Sequence, residues 1–474
     1  MTSSVSIGAG LPAATVLLPG FVGTELPGWL AARLRDGLGG VCLFAENIES
    51  PQQLRRLTAE IRASNPHALI AIDEEGGDVS RLHAATGSPY PGNAVLGRLD
   101  DVELTASVGA AVAAVLRAAG VNLNFAPDAD INSDPDNPVI GVRSFGTDAA
   151  LVARHTAAWV AAHEAEGVAV SAKHFPGHGD TASDSHHALP VVDVPLETLR
   201  ARELEPFRAA IAAGARTIMS SHILLPQLDP DAPATFSSRI LGELLRGELG
   251  FTGVVVSDAL DMAGASGEIG IPAAAVRALA GGCDLLCIGT RNTDAQLAEI
   301  EAAIDAALAS RELALERLAD AASRVRALAA SLADEPGDAP APFTTDPARI
   351  VSAFDVRASV PAGARIVSLE TTANMAVGPD VPWGLASVGL TPVPVHEGEP
   401  LPPSEVPYLV VGKDNHRRAW TRELIDRARA AQPGSVVIDM GWPGPDRAYA
   451  DIATFGASAS VSAALRELLD GRTQ

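Results

Sequence analysis

Eight short apolar runs alternate with helix-like segments over the first 333 residues, and polar residues stand at the end of run after run. Such runs are typical of parallel strands that are covered on both faces. The alternation predicts either a (β/α)8 barrel or a doubly wound open sheet. Because only a barrel gathers all the carboxyl ends of its strands on one face, the repeated polar ends favour an α/β fold with a (β/α)8 TIM barrel followed by a smaller α/β domain.

The predicted strands are rich in Val, Ile, Leu and Ala. They are Thr15–Leu18, Gly40–Phe44, Ala68–Ile72, Val121–Ala126, Val168–Ala172, Thr217–Ser220, Gly253–Ser257 and Asp284–Ile288. Helical spacing with polar first residues and glycines near the end predicts helices between them. These helices include Pro51–Ser64, Asp148–Glu166, Leu196–Ala213 and Ser238–Leu249. The polar residues at the strand ends are Asp73, Asp128, Lys173, His174, Ser221, His222 and Asp258.

The chain is expected to fold in two parts. Residues 1–333 contain the strand–helix alternation and form the predicted barrel. Residues 334–348 are rich in proline and read as a semi-stiff linker. Residues 349–474 hold further apolar runs, among them Tyr408–Val411 and Val436–Asp439, and predict a small α/β C-terminal domain. No chemical motif is recognisable in that second part.

Composition excludes several functions. With 35 basic against 58 acidic residues the formal net charge is −23, which argues against nucleic acid and anionic membranes as partners. No apolar stretch approaches the roughly 18 residues of a membrane span, and the N-terminus lacks the features of a signal peptide. Three isolated cysteines fit a reducing compartment, so we expect a cytoplasmic location. Two of the basic residues are lysines, Lys173 and Lys413, and the rest are arginines.

The densest polar segment, KHFPGHGDTASDSHH at residues 173–187, holds four of the eleven histidines. Three interpretations of this segment are open: a structural loop, a divalent-metal site, and a centre of general acid/base catalysis. In the last case, Asp184 lies two residues from His186 and can orient its imidazole. The histidine spacings match no familiar metal pattern. The metal ligands would be His174, His178, His186, His187, Asp180 and Asp184.

Four motifs together resemble glycoside hydrolase family 3, specifically its β-N-acetylglucosaminidase branch. In chain order they are AIDEEGGDVSRL around Asp73, GVRSFG around Arg143, KHFPGHGDTASDSHHALP from Lys173, and GFTGVVVSDALDM around Asp258. All four lie within the first 330 residues, the part read above as a barrel. The family's first domain is a (β/α)8 barrel, which agrees with the number of predicted strands.

The resemblance assigns roles to residues of this chain. Asp258 matches the family's nucleophile, His186 matches the acid/base of this branch, and Asp184 matches its partner. Five further residues match the family's residues that hold sugar hydroxyls: Asp73, Arg81, Arg143, Lys173 and His174. The sequence departs from the family at two positions: it has Glu74 and Asp78 where the family commonly has Gln and Arg. These two acidic residues leave open the outer part of the sugar site and hence the leaving group. The second domain is shorter than in many relatives, which leaves open whether it touches the site.

The function implied is a retaining exo-β-glycosidase that acts on a small β-linked glycoside through a covalent glycosyl–Asp258 intermediate. The donor is a β-N-acetylglucosaminide or a β-glucoside. The acceptor is water or inorganic phosphate, because a neutral histidine base would not repel a phosphate dianion as a carboxylate does. Neither a cofactor nor a metal is expected. The alternatives are a metal-dependent barrel hydrolase that uses the His174–His187 cluster and a non-catalytic sugar-binding protein.

Overall fold

The computed structural model describes residues 13–181, 189–332, 337–372, 376–378 and 381–472. Eight short parallel strands follow one another in its first part. They are β1 (Leu17–Pro19), β2 (Gly40–Leu43), β3 (Leu69–Ile72), β4 (Leu123–Asn124), β5 (Ala169–Phe175), β6 (Thr217–Ser220), β7 (Val254–Val256) and β8 (Leu286–Gly289). Each of the eight predicted strands overlaps one of them.

These strands close into a barrel. Strands β2 to β7 pair in chain order, and β1 pairs with β8. A bridge between Val256 and Leu285 joins β7 to β8, and the Gly39 N–H donates to the Ala14 carbonyl (2.9 Å) just before β1 and β2. The predicted (β/α)8 fold class is confirmed. The carboxyl ends of the strands meet on one face.

Most of the strands differ from the predicted bounds by one to three residues at one end or both, and β6 alone has the predicted limits. Strand β1 starts late because Ala14–Val16 forms a 3-10 turn. Strand β4 is two residues long, Leu123–Asn124, and lies in the middle of the predicted run. Strand β5 runs on to Phe175, so that Lys173 and His174 lie inside the strand rather than after it.

Alternate residues of the barrel strands fill the barrel interior, and the residues between them pack against the surrounding helices. Interior residues include Leu18, Cys42, Leu69, Ala71, Phe125, Val256 and Cys287. Burial on both faces explains why these strands read as continuous apolar runs.

Helices cover the outside of the barrel. They are Gly28–Arg35, Pro51–Ser64, Asn93–Leu99, Val102–Ala118, Ala149–Ala165, Leu196–Thr198, Glu205–Ala212, Ala263–Ser266, Ile271–Gly281, Asp294–Ser310 and Leu315–Ser331, with π-helical Leu199–Glu203 and Arg239–Glu248. Several begin at a polar residue whose side chain accepts a backbone N–H of the first turn. Ser50, Asp101, Asp148 and Thr293 act in this way.

The second part is a six-stranded α/β domain. Its strands are β9 (Asp355–Val356), β10 (Arg365–Leu369), β11 (Val393–Val395), β12 (Tyr408–Gly412), β13 (Val436–Asp439) and β14 (Ile452–Ala453). Its helices are Pro347–Ser352, Ala419–Ala431 and Ala459–Arg472. The strand order is β11-β10-β12-β13-β14-β9, parallel except for the edge strand β9. Since the chain leaves β10 on one side and β12 on the other, the crevice between their carboxyl ends is a topological switch point.

The two parts share a hydrophobic core. Ala94 and Val95, on the barrel helix Asn93–Leu99, pack in the core of the second domain. Arg98 of the same helix stacks on the Phe455 ring, with its guanidinium carbon 3.9 Å from the ring centre. The limits 1–333, 334–348 and 349–474 stay a prediction, because part of the junction lies outside the described residues.

Among the described residues, no helix combines the length and the apolar character that crossing a bilayer requires. The cytoplasmic location stays a prediction.

Candidate active site

A cleft of about 290 Å³ opens at the carboxyl ends of the barrel strands. Its volume is close to the lower end of the range for small-molecule sites. Six of the residues singled out from the sequence line it: Asp73, Arg81, Arg143, Lys173, His174 and Asp258. The other two, Asp184 and His186, lie outside the described residues. The structure thus brings together all the predicted site residues that it describes.

Lys173 lies at the centre of a buried ion-pair network. Its Nζ is 2.7 Å from Asp73 Oδ1 and 2.7 Å from Glu75 Oε1, and its side chain is 3% exposed. Burial alone would lower the pKa of Lys173, but the two carboxylates outweigh burial and raise it. Lys173 therefore stays charged and holds both carboxylates in place.

Glu75 is a site residue that the sequence reasoning missed. It receives two hydrogen bonds from Arg143, from Nη2 to Oε1 (2.7 Å) and from Nε to Oε2 (3.0 Å). Burial would raise the pKa of Glu75, but the charges of Arg143 and Lys173 hold it well below its usual range. The available signal was its place two residues after Asp73, at the end of a buried strand.

Glu74 faces away from the cleft. Its Oε2 accepts the backbone N–H groups of Arg81 and Leu82, each at 2.9 Å. Its own N–H and carbonyl bond to the Asn124 side-chain amide. Burial raises the pKa of Glu74 to about 7. The departure from the family at this position therefore shapes a loop and adds no carboxylate to the lining of the cleft.

His174 is oriented by Asp130, which the sequence reasoning did not select. Its Nδ1 lies 2.7 Å from Asp130 Oδ2, and Asp130 Oδ1 accepts the backbone N–H groups of His174 and His178. Burial would raise the pKa of Asp130, but the charge and hydrogen bond of His174 outweigh burial and lower it. A carboxylate here accepts a hydrogen bond from Nδ1–H, which leaves Nε2 of the imidazole for a ligand.

His178 also lines the cleft, with its ring centre 5.8 Å from that of His174. Burial, together with the neighbouring His174, lowers the pKa of His178 to about 4. This imidazole is therefore neutral at physiological pH and adds no positive charge to the site.

Asp258 lies two residues after the end of strand β7, in the cleft beside a second carboxylate, Asp261. Asp261 Oδ2 accepts the Thr290 N–H at 2.8 Å, and burial raises the pKa of Asp261. Gly289 makes room for it, because a Cβ at that position would lie 2.0 Å from Asp261 Cγ. The segment after β7 thus places two carboxylates on the same wall of the cleft, and the end of β8 holds one of them.

Asp128, Asp130 and His174 are close enough together to hold a metal ion, with ligand atoms within 4.8 Å of one another. Their hydrogen bonds argue against this use, because the Asp130 carboxylate is already bonded to His174 and to backbone. The Arg143 guanidinium, 3.5 Å from Asp128 Oδ2, already supplies positive charge there. Asp180, a ligand in the metal hypothesis, pairs with Arg202 instead. His186, His187 and Asp184 lie outside the described residues.

The second domain reaches the cleft. The carbonyl of Ala376 accepts a hydrogen bond from Arg81 Nη1 at 2.7 Å, and Ala376 is part of the cleft lining. Arg81 Nη2 lies 3.8 Å from Asp73 Oδ2. Although the second domain is short, it touches the candidate active site and holds one of its predicted residues.

Residues 30–328 match the family model described as Glycosyl hydrolase family 3 N terminal domain. Since this match covers more than half of the sequence, the chain belongs to glycoside hydrolase family 3, as the motifs predicted. The fold, the cleft and the family define the protein as a glycoside hydrolase.

Curated relatives with similar sequences carry the name beta-hexosaminidase. Beta-hexosaminidase A of Pseudoalteromonas piscicida is 36% identical over 336 residues, 65% of this chain, and the match spans 56% of that enzyme's length. The beta-hexosaminidase of Stenotrophomonas maltophilia R551-3 is 40% identical over 284 residues, 58% of this chain and 83% of that enzyme.

Solved structures extend the similarity to both domains. A glycoside hydrolase family 3 beta-N-acetylglucosaminidase from Paenibacillus sp. FPU-7 matches with a TM-score of 0.84 and 31% identity, over 98% of this chain and 97% of that one. A beta-glucoside phosphorylase, BglX, matches with a TM-score of 0.78 over 99% of this chain and 93% of that one. At 19% identity, the second similarity shows the fold alone.

Proposed function

We propose that the protein is a retaining, exo-acting β-N-acetylglucosaminidase that hydrolyses small β-linked glycosides. The observation that carries this proposal is the ion-pair network of Asp73, Glu75, Arg143 and Lys173, which shares one cleft with Asp258. Such a network offers fixed, charged donors and acceptors to a polyol, and charge-assisted hydrogen bonds fix its orientation. The names of the relatives, beta-hexosaminidase and beta-N-acetylglucosaminidase, support the same donor sugar.

In the proposed mechanism, Asp258 attacks the anomeric carbon while His186 gives a proton to the leaving oxygen. The glycosidic bond breaks and a glycosyl ester of Asp258 forms. His186 then takes a proton from the incoming water, which attacks the same carbon and releases Asp258. Two inversions give net retention. The roles of His186 and its partner Asp184 rest on the family resemblance.

Water is the acceptor that the charges of the cleft favour. Among the described residues that line it, each lysine and arginine already faces a carboxylate: Lys173 faces Asp73 and Glu75, Arg143 faces Glu75, and Arg81 faces Asp73. Two unit charges 4 Å apart interact by about 4 kcal/mol at an effective dielectric constant of 20. When the acceptor enters, Asp258 is an uncharged ester, so that a phosphate dianion would face the carboxylate of Asp261. Among the described lining residues, no lysine or arginine is left without a carboxylate partner to offset this repulsion.

Apolar side chains complete the cleft. Val139, Met219 and Met262 are part of its lining, and they supply surface that a methyl group can contact. An acetamido group presents such a methyl, whereas a glucoside has a hydroxyl in its place. The lining therefore supports an N-acetylglucosaminide over a glucoside.

Aryl β-N-acetylglucosaminide and aryl β-glucoside, each with and without inorganic phosphate, test the proposal. We expect faster release from the N-acetylglucosaminide, free sugar as the product, and no effect of phosphate on rate or product. A chelator should leave the rate unchanged. Formation of a sugar 1-phosphate would replace the hydrolase by a phosphorylase, and preference for the glucoside would refute the assigned donor.

A further inference from the structure

The carboxylate of Asp78 joins the barrel to two segments of the second domain, each of which follows a strand. Its Oδ2 lies 3.3 Å from Lys413 Nζ, and Lys413 immediately follows β12. Its Oδ1 accepts the backbone N–H of Ala457 at 2.7 Å, a few residues after β14. Lys413 also lies over the Trp383 ring, 4.8 Å from its centre. The Asp78 side chain is 7% exposed, so that this contact is largely shielded from solvent.

Asp78 belongs to the same loop as the sugar-binding residues. The loop starts at Asp73, after β3, and Arg81 lies three residues beyond Asp78. The loop turns sharply at Gly77, which has a φ of +61°. It also packs closely there, because a Cβ added at Gly77 would lie 2.5 Å from the Gly92 backbone. A displacement of Asp78 therefore moves Arg81 and the residues between them.

The partners of this loop come from the switch-point side of the second domain. Lys413 follows β12, and Ala376, which accepts the hydrogen bond from Arg81, lies in the segment between β10 and β11. In open α/β sheets the crevice at a switch point is where ligands bind. In this molecule, residues next to that crevice hold the barrel loop.

We propose that Lys413 is a positioning residue for the donor sugar: through Asp78 it fixes the loop that carries Asp73 and Arg81. The inference rests on the proposed function for its catalytic readout. Lys413 is proposed to act without touching substrate, because it is not among the described residues that line the cleft. Lys173 lines the cleft from the barrel, and Lys413 would stabilise the same cleft from the second domain.

A comparison of two substitutions tests this role. Lys413→Met removes the ion pair with Asp78, whereas Arg349→Met removes another ion pair between the two domains, that of Arg349 with Asp101. The control pair lies at the start of helix Val102–Ala118, away from the sugar-binding loop. For the aryl N-acetylglucosaminide we expect Lys413→Met to raise KM about fivefold with kcat within about twofold, the pattern of binding lost equally in the ground state and the transition state. Arg349→Met should change neither, and Lys413→Arg should restore KM.

Amide hydrogen exchange provides a readout that does not depend on activity. We expect the amides of residues 76–82 to exchange faster in Lys413→Met than in wild type, and to be unchanged in Arg349→Met. Equal KM and equal exchange in the two variants would overturn the inference, as would a loss of kcat at constant KM. A wild-type protein without activity on any aryl glycoside would refute the proposed function, while the exchange comparison would still test the effect of Lys413 on the loop.

Discussion

Substitution of Glu75 by Gln removes one negative charge from the buried network and keeps the size of the side chain. Glu75 accepts two hydrogen bonds from Arg143 and pairs with Lys173, with all three side chains less than 5% exposed. A Gln at this position directs an NH2 group toward the donors of Arg143 or Lys173. Breaking a buried ion pair on one side leaves the partner charge uncompensated, which costs about 3–5 kcal/mol. We therefore expect Glu75→Gln to lower the free energy of unfolding by about 3 kcal/mol.

The same substitution should reduce catalysis. Lys173 and Arg143 lose a shared carboxylate that fixes their orientation, and a hydrogen bond to a charged group is worth about 1.5–3 kcal/mol. Since about 1.4 kcal/mol corresponds to a factor of ten, kcat/KM on the aryl N-acetylglucosaminide should fall about 10- to 100-fold.

Urea denaturation and steady-state kinetics measure the two effects. Glu46→Gln is the matched control, because Glu46 pairs with Arg291, whose side chain is 70% exposed. Exposed pairs of this kind contribute little, so that this control should stay within about 0.5 kcal/mol of wild type and keep its activity. A Glu75→Gln enzyme with wild-type stability and kcat/KM would refute the role given to the network.

Two further predictions concern single carboxyl groups. The pKa of Glu74 is raised to about 7 from an ordinary value of 4.5. Between these two values the folded state therefore binds more protons than the unfolded state. The contribution of Glu74 to the free energy of unfolding falls as the pH rises through that window. Glu74→Gln should remove that part of the decline, seen as a flatter dependence of the unfolding free energy on pH between about 4.5 and 7; a slope equal to that of wild type would contradict the assignment. A 2-fluoro sugar with a good leaving group should label Asp258, as peptide mass spectrometry would show, and a label on any other residue would end its role as nucleophile.

The sequence was informative where burial alone sets the pattern. Strands covered on both faces must be apolar throughout, so that runs such as Ala68–Ile72 and Gly253–Ser257 identified their strands. The convergence of Asp73, Lys173 and Asp258 was also predictable, because a barrel brings its strand ends together.

Other parts of the site leave little or no trace in the sequence. Glu75 stands beside Glu74, and the direction of each side chain after the strand decides that one lines the cleft and the other holds a loop. Ala376 contributes a backbone carbonyl, which no residue type reveals, from a segment 295 residues beyond Arg81. The roles of Asp184 and His186 stay a prediction, since both lie outside the described residues.

Helix Asn93–Leu99 belongs to two cores at once, and this constrains how such a protein can change over generations. Leu96 packs with the barrel, while Ala94 and Val95 pack with the second domain. Recombination that joined this barrel to an unrelated C-terminal partner would uncover apolar surface on the helix and leave Arg98 without the Phe455 ring. In this chain the two halves therefore depend on each other for the burial of this helix, and a substitution on one side of it is expected to require a compensating substitution on the other.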